Sequence, residues 1–174
     1  MKKLLIVFSV LISLTANGAS SYEVWKNHVG GWQIVIQGQE GKQSCFMRRF
    51  DQYGHEFFIG LGVLDQSLIF VFTKHGLPQF PKPNYAVNFR FGQNRKGYLK
   101  NMISSVGPTG QGFIFFDSKL EFLGTRQFIN DLKRERTMTI SRPKTDWSLT
   151  FPLDGSAVAM KEVERCYRSL GGTL

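Results

Sequence analysis

The chain after residue 19 is patterned mainly with a period of two, which is the repeat of a half-buried β-strand. Apolar and polar residues alternate in about nine short segments, with turn-forming residues between them. Residues 20–31 are expected to form an irregular lead-in. The expected strands span 32–36, 44–50, 57–64, 68–72, 85–91, 98–105, 113–117, 137–142 and 147–153. This pattern predicts a mainly β protein, an antiparallel sandwich or barrel.

Two segments near the C-terminus change to the three-to-four spacing of an amphipathic helix. Thr125 is expected to be the N-cap of the first helix. The second helix follows a turn at 154–156, where Asp154 or Ser156 is expected to be the cap. Both helices are expected to cover an end or edge of the β-structure. The buried stripe of the second helix consists of Ala159, Val163, Cys166 and Leu170.

Gly60 and Gly62 lie two residues apart, on the same face of the third expected strand. Glycines in such positions indicate either a sharp bend or an aromatic ring from a neighbouring strand that covers them. The fourth expected strand supplies candidate rings in Phe70 and Phe72.

Residues 1–19 have the composition of a secretory signal peptide. Lys2 and Lys3 precede an apolar run at 4–14, and small residues follow that run. The run is shorter than the roughly 20 residues of a membrane-spanning helix, which favours a cleaved signal over an uncleaved anchor. Residues 20–174 are then expected to form a single β-sandwich-like domain.

The chain contains two cysteines, Cys45 and Cys166. In an exported protein an even pair indicates a disulfide bond, which here would tie the C-terminal helix to the second expected strand. The chain-entropy model assigns this bond about 4–5 kcal/mol because it closes a loop of about 120 residues. Free buried thiols and a catalytic thiol are the alternatives, and the latter needs a histidine partner that the sequence does not identify.

The chain is moderately basic, with 22 basic and 13 acidic residues. Removal of Lys2 and Lys3 with the signal lowers the formal net charge from +9 to +7. This charge suits an anionic envelope component or an acidic protein partner, and nucleic acid is not expected for an exported chain.

Two segments are candidate binding surfaces. One is the hairpin predicted over 85–105, whose basic residues are expected to share a surface: Arg90, Arg95, Lys96 and Lys100. The other is the long irregular loop at 74–84, where the candidates are Lys74, His75 and Phe80. The alternatives are a solvated basic face that discourages edge pairing and a Phe80 that only plugs the end of the core.

The sequence lacks the familiar motifs of catalytic and metal sites. It has three histidines, and it contains no HExxH metal motif, no GxSxG nucleophile motif and no glycine-rich phosphate loop. His55 and Glu56 are interpreted as a surface pair at the start of a strand. Neither a cofactor nor a metal is expected. Two carboxylates can form a catalytic pair in space without any local motif, so an unrecognised hydrolase stays an alternative.

Three short motifs carry a resemblance to a known family. They are the tryptophan strand GWQIVI at 31–36, the cysteine strand SCFMRRF at 44–50, and the turn and helix start LDGSAVAM at 153–160. In outline, the chain after the signal segment resembles the invasion-associated locus B family of small exported proteobacterial proteins. The resemblance implies an envelope or secreted β-sandwich with a role in host interaction, and it implies no catalytic residue.

These observations lead to two hypotheses about function. The first is a periplasmic or secreted protein, not an enzyme, that binds an envelope or host component and is associated with virulence. The second is a periplasmic inhibitor or immunity protein that blocks a hydrolase by inserting the loop at 74–84. A tight protein partner that survives high salt would distinguish the second from the first, because binding through surface charge weakens with salt.

Overall fold

The structure is a computed structural model of the chain. It describes residues 22–38, 42–50, 54–75, 84–93, 97–106, 111–121 and 123–174. The signal segment predicted at residues 1–19 lies outside these ranges. In the described ranges, no helix is long and apolar enough to cross a membrane.

Ten strands and two helices make up the described chain. The strands are β1 (Tyr22–Val29), β2 (Trp32–Gln37), β3 (Ser44–Phe50), β4 (Glu56–Gly62), β5 (Ser67–His75), β6 (Asn84–Phe91), β7 (Tyr98–Val106), β8 (Gln111–Lys119), β9 (Thr137–Ser141) and β10 (Ser148–Pro152). The helices are α1 (Leu123–Arg134) and α2 (Ser156–Ser169). The prediction of a mainly β protein with two late helices is confirmed.

The strands form one antiparallel sheet in the order β1-β2-β3-β4-β5-β8-β7-β6-β9-β10. This sheet folds over on itself. The rings of Phe70 on β5 and Phe89 on β6 have centroids 5.1 Å apart, although β8 and β7 separate these strands in the sheet. The rings of Phe57 on β4 and Phe151 on β10 have centroids 3.5 Å apart. The fold is therefore sandwich-like, with β1 and β10 as the edges.

The concave inner face of the sheet carries the core, because every second residue of each strand points inward. Met47, Ile59 and Phe70 illustrate this, since they lie side by side on β3, β4 and β5 and are fully buried. Edge-to-face aromatic pairs supply much of the packing, an arrangement that adds about 0.5–1.5 kcal/mol per pair beyond the buried area.

Both helices pack on the inner side of the sheet. Helix α2 lies against β2, β3 and β4, and its buried residues include Val163 and Cys166. Helix α1 places the ring of Phe128 against Phe89 and Phe91, at centroid distances of 5.5 and 4.9 Å. The hydroxyl of Ser156 at the start of α2 donates to a backbone carbonyl of α1, with an O–O distance of 2.6 Å. The two helices therefore close the core together.

Cys45 on β3 and Cys166 on α2 form the predicted disulfide bond. Their Cα atoms lie 6.0 Å apart, and both side chains are fully buried. The bond fixes the C-terminal helix to the inner face of the sheet across a sequence separation of 121 residues. It is confirmed in place of the alternatives of free or catalytic thiols.

The segment expected to be an irregular lead-in is strand β1. It pairs with β2, but the register shifts between Val24 and Lys26 and again between Lys26 and Val29. Residues 23–28 are exposed, so they have no buried face to produce an alternating pattern. The strand is specified by its pairing partner and not by its own sequence, and for this reason the prediction for this segment was wrong.

Both helix-cap predictions were also wrong. Helix α1 begins at Leu123, so Thr125 lies inside the helix. The N-cap of α2 is Gly155, which adopts a left-handed backbone with φ 74° and makes no side-chain cap. Asp154 and Ser156 have other roles, because both turn residues bond to distant parts of the chain.

A ring covers Gly60, as the sequence indicated. A Cβ atom on this glycine would lie nearest to the carbonyl oxygen of Cys45 and 2.5 Å from Cδ1 of Phe46, so the backbone of β3 and the ring together exclude a larger residue. The ring comes from β3, whereas Phe70 and Phe72 of β5 point to the inner face of the sheet. The aromatic cover over this glycine is therefore on the outer face.

Candidate functional site

The two ends of the folded sheet meet where the β1–β2 turn touches the β10–α2 turn. Gly30 and Gly155 both have a positive φ, and a Cβ atom on Gly30 would lie 2.8 Å from Cα of Gly155. The indole Nε1 of Trp32 donates to the carbonyl oxygen of Asp154 across a distance of 2.9 Å. We call this contact the joint. It holds β10 over the inner face of β2–β4.

A cleft of about 390 Å³ opens beside the joint, between the inner face of β2–β4 and strands β9 and β10. This volume lies toward the lower end of the range of small-molecule sites, roughly 300–1,000 Å³. The cleft is lined by Trp32, Arg49, Phe50, Phe57, Ile59, Met138, Thr150, Phe151, Pro152 and Leu153.

The walls of the cleft are apolar and largely aromatic. Trp32, Phe57 and Phe151 are buried side chains of the core that also face the cleft. Phe50 lies at the rim and is 54% exposed, which is unusual for so large an apolar side chain. Apolar walls with few polar groups are typical of ligand sites, where the polar groups set the orientation of the ligand.

Among the described residues that line the cleft, Arg49 has the single ionisable side chain. Its guanidinium carbon lies 5.6 Å from the centroid of the Trp32 ring, within the range of a cation–π contact. Its Nη1 atom donates to the carbonyl oxygen of Asp154 at a long 3.4 Å. In the described part of the chain, no carboxylate lies within ion-pair distance of this guanidinium. The cleft therefore carries a positive charge that these residues do not neutralise.

The neighbouring Arg48 has a different environment on the outer face of the sheet. It forms an ion pair with Glu56, and both side chains are largely buried. Its guanidinium lies over the rings of Phe50 and Phe58, at 4.6 and 5.5 Å from their centroids. Burial raises the pKa of Glu56, and the charge of Arg48 only partly opposes this effect. Arg48 is therefore a neutralised packing residue.

Two of the basic residues of the β6–β7 hairpin, Arg90 and Lys100, lie on opposite faces of the sheet, whereas the sequence predicted that they share one surface. Arg90 is exposed on the outer face, whereas Lys100 lies opposite the buried Val87 and so points to the inner face. Burial accordingly lowers the pKa of Lys100. The strand register therefore separates these two charges by the thickness of the sheet. Arg95 and Lys96 lie outside the described residues.

The loop candidates fall mostly outside the described chain. Lys74 and His75 belong to β5, but their side chains are outside the described part, as is Phe80. A binding role for this loop therefore stays a prediction.

His55 is not the surface residue that was expected. It is 6% exposed, and its ring contacts the edge of Phe72 at a centroid distance of 5.7 Å. Its neighbour Glu56 pairs with Arg48 and not with the histidine ring. Across the residues that the structure describes, no three histidine, cysteine or acidic side chains come together in a way that could hold a metal ion.

The sequence interpretation missed Arg49 as a site residue. The signal was present in the alternation of SCFMRRF, where Cys45, Met47 and Arg49 share one phase. The expected disulfide to Cys166, which lies on the buried stripe of the last helix, would place Cys45 on the inner face and Arg49 with it. An arginine in the inward phase near the end of a strand is a usable sign of a charged cleft.

No protein-family model matches the chain, and a search of curated proteins found no similar sequence. Among solved structures, the chain is similar to invasion associated protein B from Bartonella henselae, with a TM-score of 0.54 and 14% sequence identity. The match covers 86% of this chain and 99% of the other. At this identity the similarity shows the fold alone. It is the fold that the short motifs of the sequence had indicated.

Proposed function

We propose that this chain is an exported, disulfide-stabilised binding protein that holds an envelope or host component in the cleft at Arg49. The observation that carries the proposal is the cleft itself. It combines aromatic walls, an exposed aromatic rim and one cation that the described residues do not neutralise. A concave apolar surface that can bury a ligand, together with a few polar or charged groups that orient it, is typical of a specific small-molecule site.

Export is supported by two independent features of the chain. The sequence pattern at residues 1–19 is that of a secretory signal. The buried bond between Cys45 and Cys166 is of a kind that persists in oxidising compartments and is rare in the cytosol. The similar structure from Bartonella bears the name of an invasion-associated protein, which fits a role outside the cytoplasm.

The chemistry of the cleft supports binding over catalysis. General acid–base catalysis needs a side chain that gains and loses a proton near neutral pH. An arginine guanidinium does not serve as such a group, and Arg49 is the single ionisable side chain among the described residues of the lining. A cleft with this composition is suited to hold a molecule in place.

The proposal is tested by photocrosslinking from the rim of the cleft. A photoreactive phenylalanine derivative replaces Phe50, and exported protein is irradiated in the cells that produce it. The matched control carries the same derivative at Leu99, which is 65% exposed on β7 and does not line the cleft. We expect a crosslinked species from position 50 that is missing from position 99.

The outcomes separate the two hypotheses from one another. Equal crosslinking from both positions would contradict a binding role for the cleft. A single protein that stays bound at high salt would instead support the inhibitor hypothesis and identify its target. Recovery of the chain only in the cytoplasm, with its signal intact, would contradict export.

A further inference from the structure

The walls and the charge of the cleft together define the chemistry of its ligand. Trp32, Phe57 and Phe151 present ring surface, while Ile59, Met138 and Leu153 add aliphatic surface. Removal of this apolar surface from water is favourable, so an apolar group of a ligand displaces water from the cleft. The part of the ligand inside the cleft is therefore apolar.

Arg49 fixes the other end of the ligand. A guanidinium has five N–H donors, and here one of them reaches the carbonyl oxygen of Asp154 at 3.4 Å. The planar fork of the remaining donors matches a carboxylate or a phosphate. The centroid of the Trp32 ring lies 5.6 Å from the guanidinium carbon, and the ring is itself held by the hydrogen bond from its Nε1 to Asp154. The cation is thus positioned before any ligand arrives.

Arg48 shows that this arrangement is specific to the cleft. Its charge is matched by Glu56, and the two form a closed pair on the outer face. Arg49 lies one residue further along the same strand with no such carboxylate among the described residues. The difference indicates that an external anion completes the site.

We infer that the cleft binds one small amphipathic anion, with a single acyl chain or ring system between its aromatic walls and a carboxylate or phosphate head on Arg49. This inference rests on the proposed binding function and names its ligand class. The volume of about 390 Å³ suits a single chain better than a bulky multi-chain lipid.

A peptide that adds a strand to the edge of the sheet is a less suitable occupant. Strand β10 is the edge beside the cleft, and it ends at Pro152, which lines the cleft. Proline has no N–H to donate to an added strand, and it is a common device that blocks pairing at sheet edges. The edge therefore offers an incoming backbone one donor fewer at this point.

The test is a head-group series measured by isothermal titration calorimetry on the full exported protein. The probes are decanoate, decyl phosphate, decanol and decyltrimethylammonium, each below its micelle concentration. Each probe has a straight chain of ten carbon atoms, counting the carboxyl carbon of decanoate, so the head group and its charge are the main variables. We expect both anions to bind and decanol to bind about tenfold more weakly, which is the factor for one lost charge-assisted hydrogen bond. Tighter binding of decanoate would indicate a fatty acid as the ligand, and tighter binding of decyl phosphate would indicate a phosphorylated lipid.

Two variants separate the role of Arg49 from a general effect of charge. Arg49→Gln should reduce the affinity for decanoate to that for decanol. Arg90→Gln removes the same charge from the exposed outer face of β6 and should leave the affinity unchanged. Arg49→Lys keeps the charge but loses the planar fork, and it should restore part of the binding.

Three results would overturn the inference in different ways. Equal binding of decanol and decanoate would show that the cleft is a purely apolar site. Unchanged decanoate binding by Arg49→Gln would place the anion elsewhere. Failure of every probe, while position 50 still crosslinks to a protein, would refute the amphipathic anion and leave the proposed binding function standing with a polypeptide ligand.

Discussion

The two ends of strand β3 have opposite characters. At its start, Cys45 is joined to Cys166 of α2, and both sulfur atoms are fully buried beneath the helix. At its end, Arg49 faces a cleft of about 390 Å³, and Phe50 is half exposed at the rim. The first end is closed by a covalent bond and helix packing. The second end is left open between β2–β4 and β10.

The two ends of β3 therefore differ in how much they are expected to contribute to stability. The closed end contains the disulfide bond, which has the largest expected effect on stability. The open end instead has an exposed aromatic rim and a cation without a carboxylate among the described residues. A region that contributes little to stability but keeps a specific chemistry is expected for a binding site.

Removal of the disulfide tests the closed end and should have the largest effect. The double variant Cys45→Ala with Cys166→Ala should lose about 4 kcal/mol of unfolding free energy, because the unfolded chain gains the entropy of an open loop. Urea denaturation in oxidising buffer measures this loss. Wild-type protein in reductant is the control and should match the variant. Coincident curves for the variant and the oxidised wild type would contradict a stabilising bond.

Gly155→Ala tests the joint that holds β10 over the cleft. The substitution forces a side chain into a left-handed backbone and against the backbone of Gly30, so we expect a loss of about 3 kcal/mol. Gly171→Ala is the matched control, because its φ is +89° but no atom lies within 4 Å of the added Cβ. It should lose only about 1 kcal/mol, the conformational part alone. Equal losses in thermal or urea unfolding would argue against a tight joint.

The two adjacent arginines of β3, Arg48 and Arg49, should contribute differently to the stability of the protein. Glu56→Gln leaves the largely buried Arg48 without its carboxylate, and it should cost about 2 kcal/mol. Arg49→Gln breaks no ion pair in the described chain and should change stability by less than about 0.5 kcal/mol. Urea midpoints of the two variants provide the measurement. A larger loss from Arg49→Gln would make this arginine a structural residue.

Of these substitutions, Lys100→Met should change the unfolding free energy least, and it should stabilise the protein. Burial lowers the pKa of Lys100 below its ordinary value of 10.5, so the folded protein binds this proton less tightly than the unfolded chain. The charged form thus opposes folding at neutral pH. Because the side chain is partly exposed, its removal should stabilise the protein by less than about 0.5 kcal/mol. The gain should shrink as the pH rises toward 10.5, where the unfolded chain also loses the proton.

Urea denaturation of this variant at about pH 7 and about pH 10 tests the sign. Lysine carries its charge in both states at the lower pH, and as the pH approaches 10.5 the folded protein begins to lose this proton before the unfolded chain does. Lys161→Met, on the exposed side of α2, is the control and should change stability little at either pH. A destabilised Lys100→Met protein at neutral pH would show that the packing of this side chain outweighs the cost of its charge.

Much of the architecture followed from the sequence because its causes are local. Alternation marked nine of the ten strands, because a strand with one face in the core repeats apolar residues with a period of two. The change to helical spacing marked both helices, and the even count of cysteines indicated the pairing of Cys45 with Cys166. Strand β1 was missed because an exposed, bulged edge strand has no buried phase to detect.

The functional features depended on partners that are distant in the chain. Trp32 and Asp154 meet only because the sheet folds over on itself, and this contact creates the cleft. The register of β6 with β7 decided that Arg90 and Lys100 lie on opposite faces, a result that a one-residue shift would reverse.

Patterns in the sequence therefore established nine of the ten strands, both helices and the disulfide bond that ties the last helix to the sheet. Tertiary contacts determine which end of β3 is open. They also pair Arg48 with Glu56, while Arg49 has no carboxylate within ion-pair distance in the described chain. The physical reason is the distance along the chain over which each feature is specified. Periodicity records the burial of each residue in its own element, whereas a cleft exists only between elements that the chain brings together from far apart.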